Sequence, residues 1–212
     1  EPDFPTPSHV IEEVKIASEN PAYHKYTAVG GLPILRDEIS RTTKKYSNFE
    51  IDPDNVVVTN GGKQAILTTF MSLLDPGDEV LIPSPYWTTY PEAVKISGGD
   101  PVVVDTDFEN DFKVTVEQLE EKFTEKTKVL VWVSPSNPTG VVYSKEEAEE
   151  IYNWAFDKNI WILSDELYEH LVYEGVTSPS PATIDKNLEK TIVVNGVAKA
   201  YSMTGWRVGW IM

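Results

Sequence analysis

KVLVWVSPSNPTG, residues 128–140, sets a run of valine, leucine and tryptophan against a turn of proline, serine, asparagine and glycine. The run is apolar at successive positions rather than at every second one. That pattern belongs to a strand covered on both faces, as in a parallel sheet between helices. Working outward, similar runs recur at VVVT (56–59), EVLIP (79–83), PVVVD (101–105), WILSD (161–165), TIVVN (191–195) and RVGWI (207–211). Helix-like segments separate them. Thr115 with Gln118, and Ser144 with Glu147, fit capping boxes that open amphipathic helices. Asp75-Pro76-Gly77-Asp78 stops the helix that begins near Gly62, and Gly98-Gly99 stops the next. The alternation predicts a doubly wound α/β layer sandwich. Two further helices are expected around 9–18 and 32–46. Residues 1–30, opening on the proline-rich EPDFPTPS, read as an arm or connector before one main domain over 31–212.

Composition narrows the partners. The 212 residues suffice for one sizeable core. No apolar run approaches the ~20 residues of a spanning helix. There is no cysteine, so a disulfide framework and thiolate metal sites are excluded, and a reducing, cytoplasmic location is expected. With 34 acidic against 18 basic residues the net charge is −16, a field that repels nucleic acid and anionic membrane. A small anionic ligand therefore needs a local basic pocket. His9, His24 and His170 lack metal-ligand spacing, and no metal is expected.

Ligands in open α/β sheets bind beyond the carboxyl ends of the strands. Asn60-Gly61-Gly62-Lys63 follows the first predicted strand, Ser84-Pro85-Tyr86-Trp87 the second and Pro135 to Gly140 the fourth. The fifth ends in Ser164-Asp165-Glu166 with Tyr168 close behind, and the sixth leads through Asn195-Gly196 to Lys199. If the strands are parallel, all converge on one edge. Each has an ordinary structural reading too. Gly61-Gly62 serves equally as a turn or as a helix start whose bare N–H groups cradle a phosphate. Asn137 sits in a common turn sequence, Asp165 could cap a following helix, and Trp87 could be packing. Lys199 could be solvated, and Arg207 could pair with any of many carboxylates. A dinucleotide-binding G-x-G-x-x-G does not follow the first strand.

Five motifs in order, NGGKQAI, SPYWTTYPE, SPSNPTG, SDELYEHLVYEG and NGVAKAYSMTGWRVGW, resemble the class I/II aminotransferases. These are fold-type I enzymes that use pyridoxal 5′-phosphate (PLP), and the bacterial aspartate branch is the most similar. The resemblance implies the large domain of that fold, a mostly parallel seven-stranded sheet with the last strand antiparallel between the first and sixth. It implies Lys199 as the amine that forms a Schiff base with the cofactor and then shuttles a proton. Asp165 would face the pyridine nitrogen, Asn137 and Tyr168 the phenolic oxygen, and Trp87 the ring face. Arg207, with Gly61, Gly62 and Lys63, would hold the phosphate. Tyr26 would reach the phosphate of a neighbouring subunit, so a homodimer is implied. Lys63, Trp87 and Asn137 are the expected substrate contacts, Lys63 through the distal carboxylate of an acidic donor.

Two departures qualify the resemblance. Many relatives have serine before the lysine, where Gly196-Val197-Ala198 stands here, so one hydroxyl contact to the phosphate is expected to be absent. The family also continues into a smaller domain with the arginine that grips the substrate α-carboxylate. The 212 residues are therefore expected to be a large-domain fragment without that domain. The expected reaction is transamination between an amino acid, aspartate or similar, and a 2-oxo acid. A PLP-dependent carbon–sulfur β-lyase and a catalytically silent PLP-binding module are the alternatives.

Overall fold

The computed structural model describes residues 1–173, 175–185 and 188–212; Glu174, inside the SDELYEHLVYEG motif, lies outside them. The sheet strands are β1 Val57–Thr59, β2 Glu79–Pro83, β3 Asp100–Val104, β4 Thr127–Val133, β5 Trp161–Asp165, β6 Thr191–Gly196 and β7 Gly209–Ile211. They form one seven-stranded sheet in the order β1-β7-β6-β5-β4-β2-β3. From β6 to β3 every pairing is parallel, whereas β7 runs antiparallel to both β1 and β6.

The helices are α1 Ser8–Ser18, α2 Pro33–Tyr46, α3 Gly61–Leu73, α4 Thr89–Ile96, α5 Val116–Lys122 and α6 Lys145–Asp157. Both expected capping boxes are present, Thr115 with Gln118 at α5 and Ser144 with Glu147 at α6. The continuous apolar character of the strands follows from burial on both faces. Ile162 packs in a cluster with Leu119, Ile151 and Trp154, from α5 and α6, while the next residue, Leu163, joins Ile66, Phe70 and Val94, from α3 and α4. Each fully buried Leu, Ile or Phe contributes about 1.5–3 kcal/mol. A third cluster seats Ile39 of α2 against Val56, Val193 and Met212.

The last strand is shorter than RVGWI suggests. Arg207 is not in β7; it has φ of 56°, in the left-handed region, and ends a 3-10 turn over Thr204–Trp206. That turn reverses the chain into β7. The N-terminal stretch lies over the same loop: the Thr6 hydroxyl donates to the Ser202 carbonyl at 2.9 Å, and Trp206 Nε1 donates to Thr6 Oγ1 at 3.1 Å. No residue of α1 is buried. No helix among the described residues is long and apolar enough to cross a membrane.

Candidate active site

Because β7 is antiparallel, the residues just before it lie at the same sheet edge as the carboxyl ends of the other strands. Gly209 pairs with Thr59 of β1 and Gly196 of β6, so Arg207 arrives beside the start of α3 and the loop after β6. The resulting cleft is lined by Gly62, Lys63, Trp87, Asn137, Asp165, Tyr168, Lys199 and Arg207, among others. Its volume of about 400 Å³ is within the range of small-molecule sites. Residues from five separate loops are thus brought together as the motif order predicts. Tyr26 is not among them. It is fully exposed and belongs to no wall of this cleft.

The floor is acidic and buried. Asp165, at the end of β5, is 3 % exposed. Its Oδ2 accepts from the Tyr90 hydroxyl at 2.7 Å, and its Oδ1 from the Leu167 N–H at 3.3 Å. Burial pushes its carboxyl above the usual carboxylate range, against the opposing pull of those two donors and the Lys199 charge. The segment after β5 is a turn rather than a helix, so Asp165 does not cap one. Burial and the neighbouring carboxylate likewise push the Tyr90 hydroxyl well up.

One rim is cationic. α3 begins at Gly61 with its first N–H groups unpaired by any side-chain cap. The Arg207 guanidinium lies against this start, donating through Nη1 to the Thr204 carbonyl at 2.8 Å and through Nη2 to the Asn60 carbonyl at 3.4 Å. Gly61 takes φ of +76°, a conformation that favours glycine, and a Cβ there or at Gly62 would push aside the tip of the Arg207 or the Leu167 side chain. Helix dipole and guanidinium together make an anion seat. Lys199, in the turn after β6, holds its Nζ 5.3 Å from the Tyr168 ring centroid. Lys63 Nζ stands 5.1 Å from the Trp87 ring centroid.

Sequence reasoning missed Tyr90. It is 1 % exposed, lines the cleft, and meets Trp87 edge-on with centroids 5.8 Å apart and planes at 88°. The available signal was its spacing: Trp87 and Tyr90 are three positions apart in SPYWTTYPE, across the start of α4, which puts them on one side of the turn. Among the described residues no cluster of three or more His, Cys, Asp or Glu could hold a metal ion.

The whole chain, residues 1–212, matches the family model for aminotransferase class I and II, and the chain belongs to that family. It is 54% identical to an aspartate aminotransferase of Streptomyces avermitilis over 213 residues, 100% of this chain and 52% of the relative. It is 46% identical to one of Bacillus subtilis, across 99% of this chain and 53% of the relative. An aromatic aminotransferase from Pyrococcus horikoshii superposes with a TM-score of 0.96 at 40% identity, covering 100% of this chain and 57% of that one. The aspartate aminotransferase from Thermus thermophilus with maleate superposes at 0.93 with 43% identity, again over 100% of this chain and 54% of the other. The fold is that of the fold-type I aminotransferases. The chain spans about half the length of the curated relatives it matches.

Proposed function

We propose that this chain is the cofactor-binding part of a PLP-dependent aminotransferase that moves an amino group between an acidic amino acid and a 2-oxo acid. One observation carries the reading: a single cleft joins an amine, Lys199, a buried carboxylate, Asp165, and a guanidinium at a helix start, Arg207. The donor set fits the cofactor. The start of α3, opened by Gly61 and Gly62 with no side-chain cap, and Arg207 suit a phosphate dianion. The buried Asp165 carboxylate has donors on both oxygens and gains a cationic partner if a protonated ring nitrogen faces it. When bound, PLP supplies an electron sink for carbanion chemistry at the substrate α-carbon.

The protein's residues then have separable tasks. Lys199 would anchor PLP through its amine, and the same amine would be the group placed to carry a proton to and from the substrate α-carbon. Asp165 holds the proton on the ring nitrogen. Asn137 and Tyr168 orient the phenolic oxygen, and Trp87 walls the ring face. Lys63 receives the distal carboxylate of an acidic donor. The aspartate aminotransferase relatives support that donor class. The exposed Tyr26, in the 1–30 arm, reaches a second subunit's phosphate in a homodimer, and the cytoplasm is the compartment that suits a cysteine-free chain.

Replacement of the amine tests the reading in the full-length protein. Lys199→Ala is expected to abolish transamination from aspartate to 2-oxoglutarate and the visible band of bound cofactor, with the circular dichroism spectrum unchanged. Turnover near the parent rate would overturn it.

A further inference from the structure

We propose that Tyr90 is a positioning residue for this site, coupling the carboxylate at the floor of the cleft to the aromatic wall beside it. The inference rests on the cofactor-binding reading above and deepens it.

The geometry is two-sided. The Tyr90 hydroxyl gives its proton to Asp165 Oδ2 at 2.7 Å, and the Leu167 N–H occupies the other oxygen at 3.3 Å. Two fixed donors on opposite oxygens hold the carboxyl plane still. Without the hydroxyl, Oδ2 would be buried with no partner from α4, and Asp165 would be free to turn toward the Lys199 charge that already acts on it. The Tyr90 ring, meanwhile, stands at 88° to Trp87, whose other neighbour is the Lys63 ammonium. Ring and hydroxyl belong to one side chain seated in the first turn of α4, and it packs among Ile66, Val94 and Leu163. The floor and the wall of the cleft are therefore set by one rigid group. Among the described residues lining the cleft Asp165 is the one carboxylate, and it is the partner that the buried Tyr90 hydroxyl takes.

The distinction is testable because Tyr90→Phe keeps the ring and removes only the donor. In the full-length protein, the variant is expected to weaken PLP binding to the apoprotein by about 10- to 100-fold, the worth of a hydrogen bond to a charged group. It should also lower kcat by a similar factor while leaving KM for aspartate within about three-fold, since wall and substrate contacts persist. Repeating the substitution in an Asp165→Asn background completes a double-mutant cycle. If Tyr90 acts through Asp165, the second substitution adds little to the first in PLP affinity. Parent-like PLP affinity and kcat in Tyr90→Phe, or fully additive losses in the cycle, would overturn the proposal while leaving the function reading intact. Failure of the parent protein itself to bind PLP would instead sink the function reading. Should Tyr90→Phe not fold, Tyr90→Met, which keeps much of the volume without a hydroxyl, takes its place in the cycle.

Discussion

At Lys63 two explanations compete for one ammonium. The side chain rises from the first turn of α3 and lies over Trp87 at 5.1 Å, close enough for a cation–π contact worth about 0.5–1 kcal/mol at an exposed site. A charged hydrogen bond to a substrate carboxylate is worth more, roughly 1.5–3 kcal/mol. Lys63→Ala is therefore expected to lower kcat/KM for aspartate and glutamate by about 10- to 150-fold and to spare an uncharged donor of similar size. Kinetics with aspartate and with a neutral amino acid in parent and variant decide the matter. An equal drop for both assigns Lys63 to the phosphate or the fold. Which residues line the cleft was legible in the sequence where a motif marked them, as for Lys63, Trp87, Asn137, Asp165 and Lys199. Tyr90 was not, because a helical tyrosine has a default as core, and only the fold places its hydroxyl on Asp165.

At the scale of elements, the joint between β7 and α3 fixes where the anion seat lies. Gly209 opens β7, and a Cβ there would come within 2.7 Å of the Gly61 carbonyl carbon and 2.8 Å of the Gly62 nitrogen. Both neighbours are backbone, so no rotamer change relieves the clash. Gly209→Ala should force the strand away from the helix start, at a cost of about 1–3 kcal/mol for overpacking. For a chain of this size each kcal/mol moves Tm by roughly 2–4 °C, so a loss of about 2–12 °C is expected, together with weaker PLP binding. A melting curve matching the parent would contradict this account of the joint. Strand existence and most boundaries could be read from the apolar runs, and both capping boxes from their spacing. The start of β7 could not. Arg207 looks like strand next to Val208 and Trp210, yet the turn that aims it at α3 needs φ of 56°. That requirement comes from packing against α3, and propensity carries no trace of it.

Across the whole molecule, Glu166 ties the sheet to the segment that follows it. It is 3 % exposed, and its Oε1 accepts from the hydroxyls of Ser164 at 2.7 Å and Ser180 at 2.5 Å. Burial first, then the nearby Glu169 carboxylate, push its carboxyl up to about 8, against the pull of the two serines. A pKa raised in the folded state favours folding while the group stays protonated. That contribution is complete below the unfolded value near 4.5 and is lost as pH rises through about 8. Glu166→Gln, which keeps the neutral form's shape, should melt like the parent near pH 5 and above it near pH 9. A Tm difference that does not change with pH would remove Glu166 from this role.

Apolar runs such as KVLVWVS leave no face for solvent, and they were enough to mark this chain as an α/β sandwich with a two-sided core. The sequence also placed the residues that follow the strands at one edge of the sheet, because carboxyl ends of parallel strands must share a side. Which of those residues touch is a property of the folded sheet. Asp165 and Tyr90 are 75 positions apart in the chain, and Asn60 and Arg207 are 147 apart. Contacts at such separations depend on strand order and on the antiparallel insertion of β7 between β1 and β6. Local pattern records burial and turn chemistry, whereas strand order emerges when the whole sheet closes and buries its faces at once.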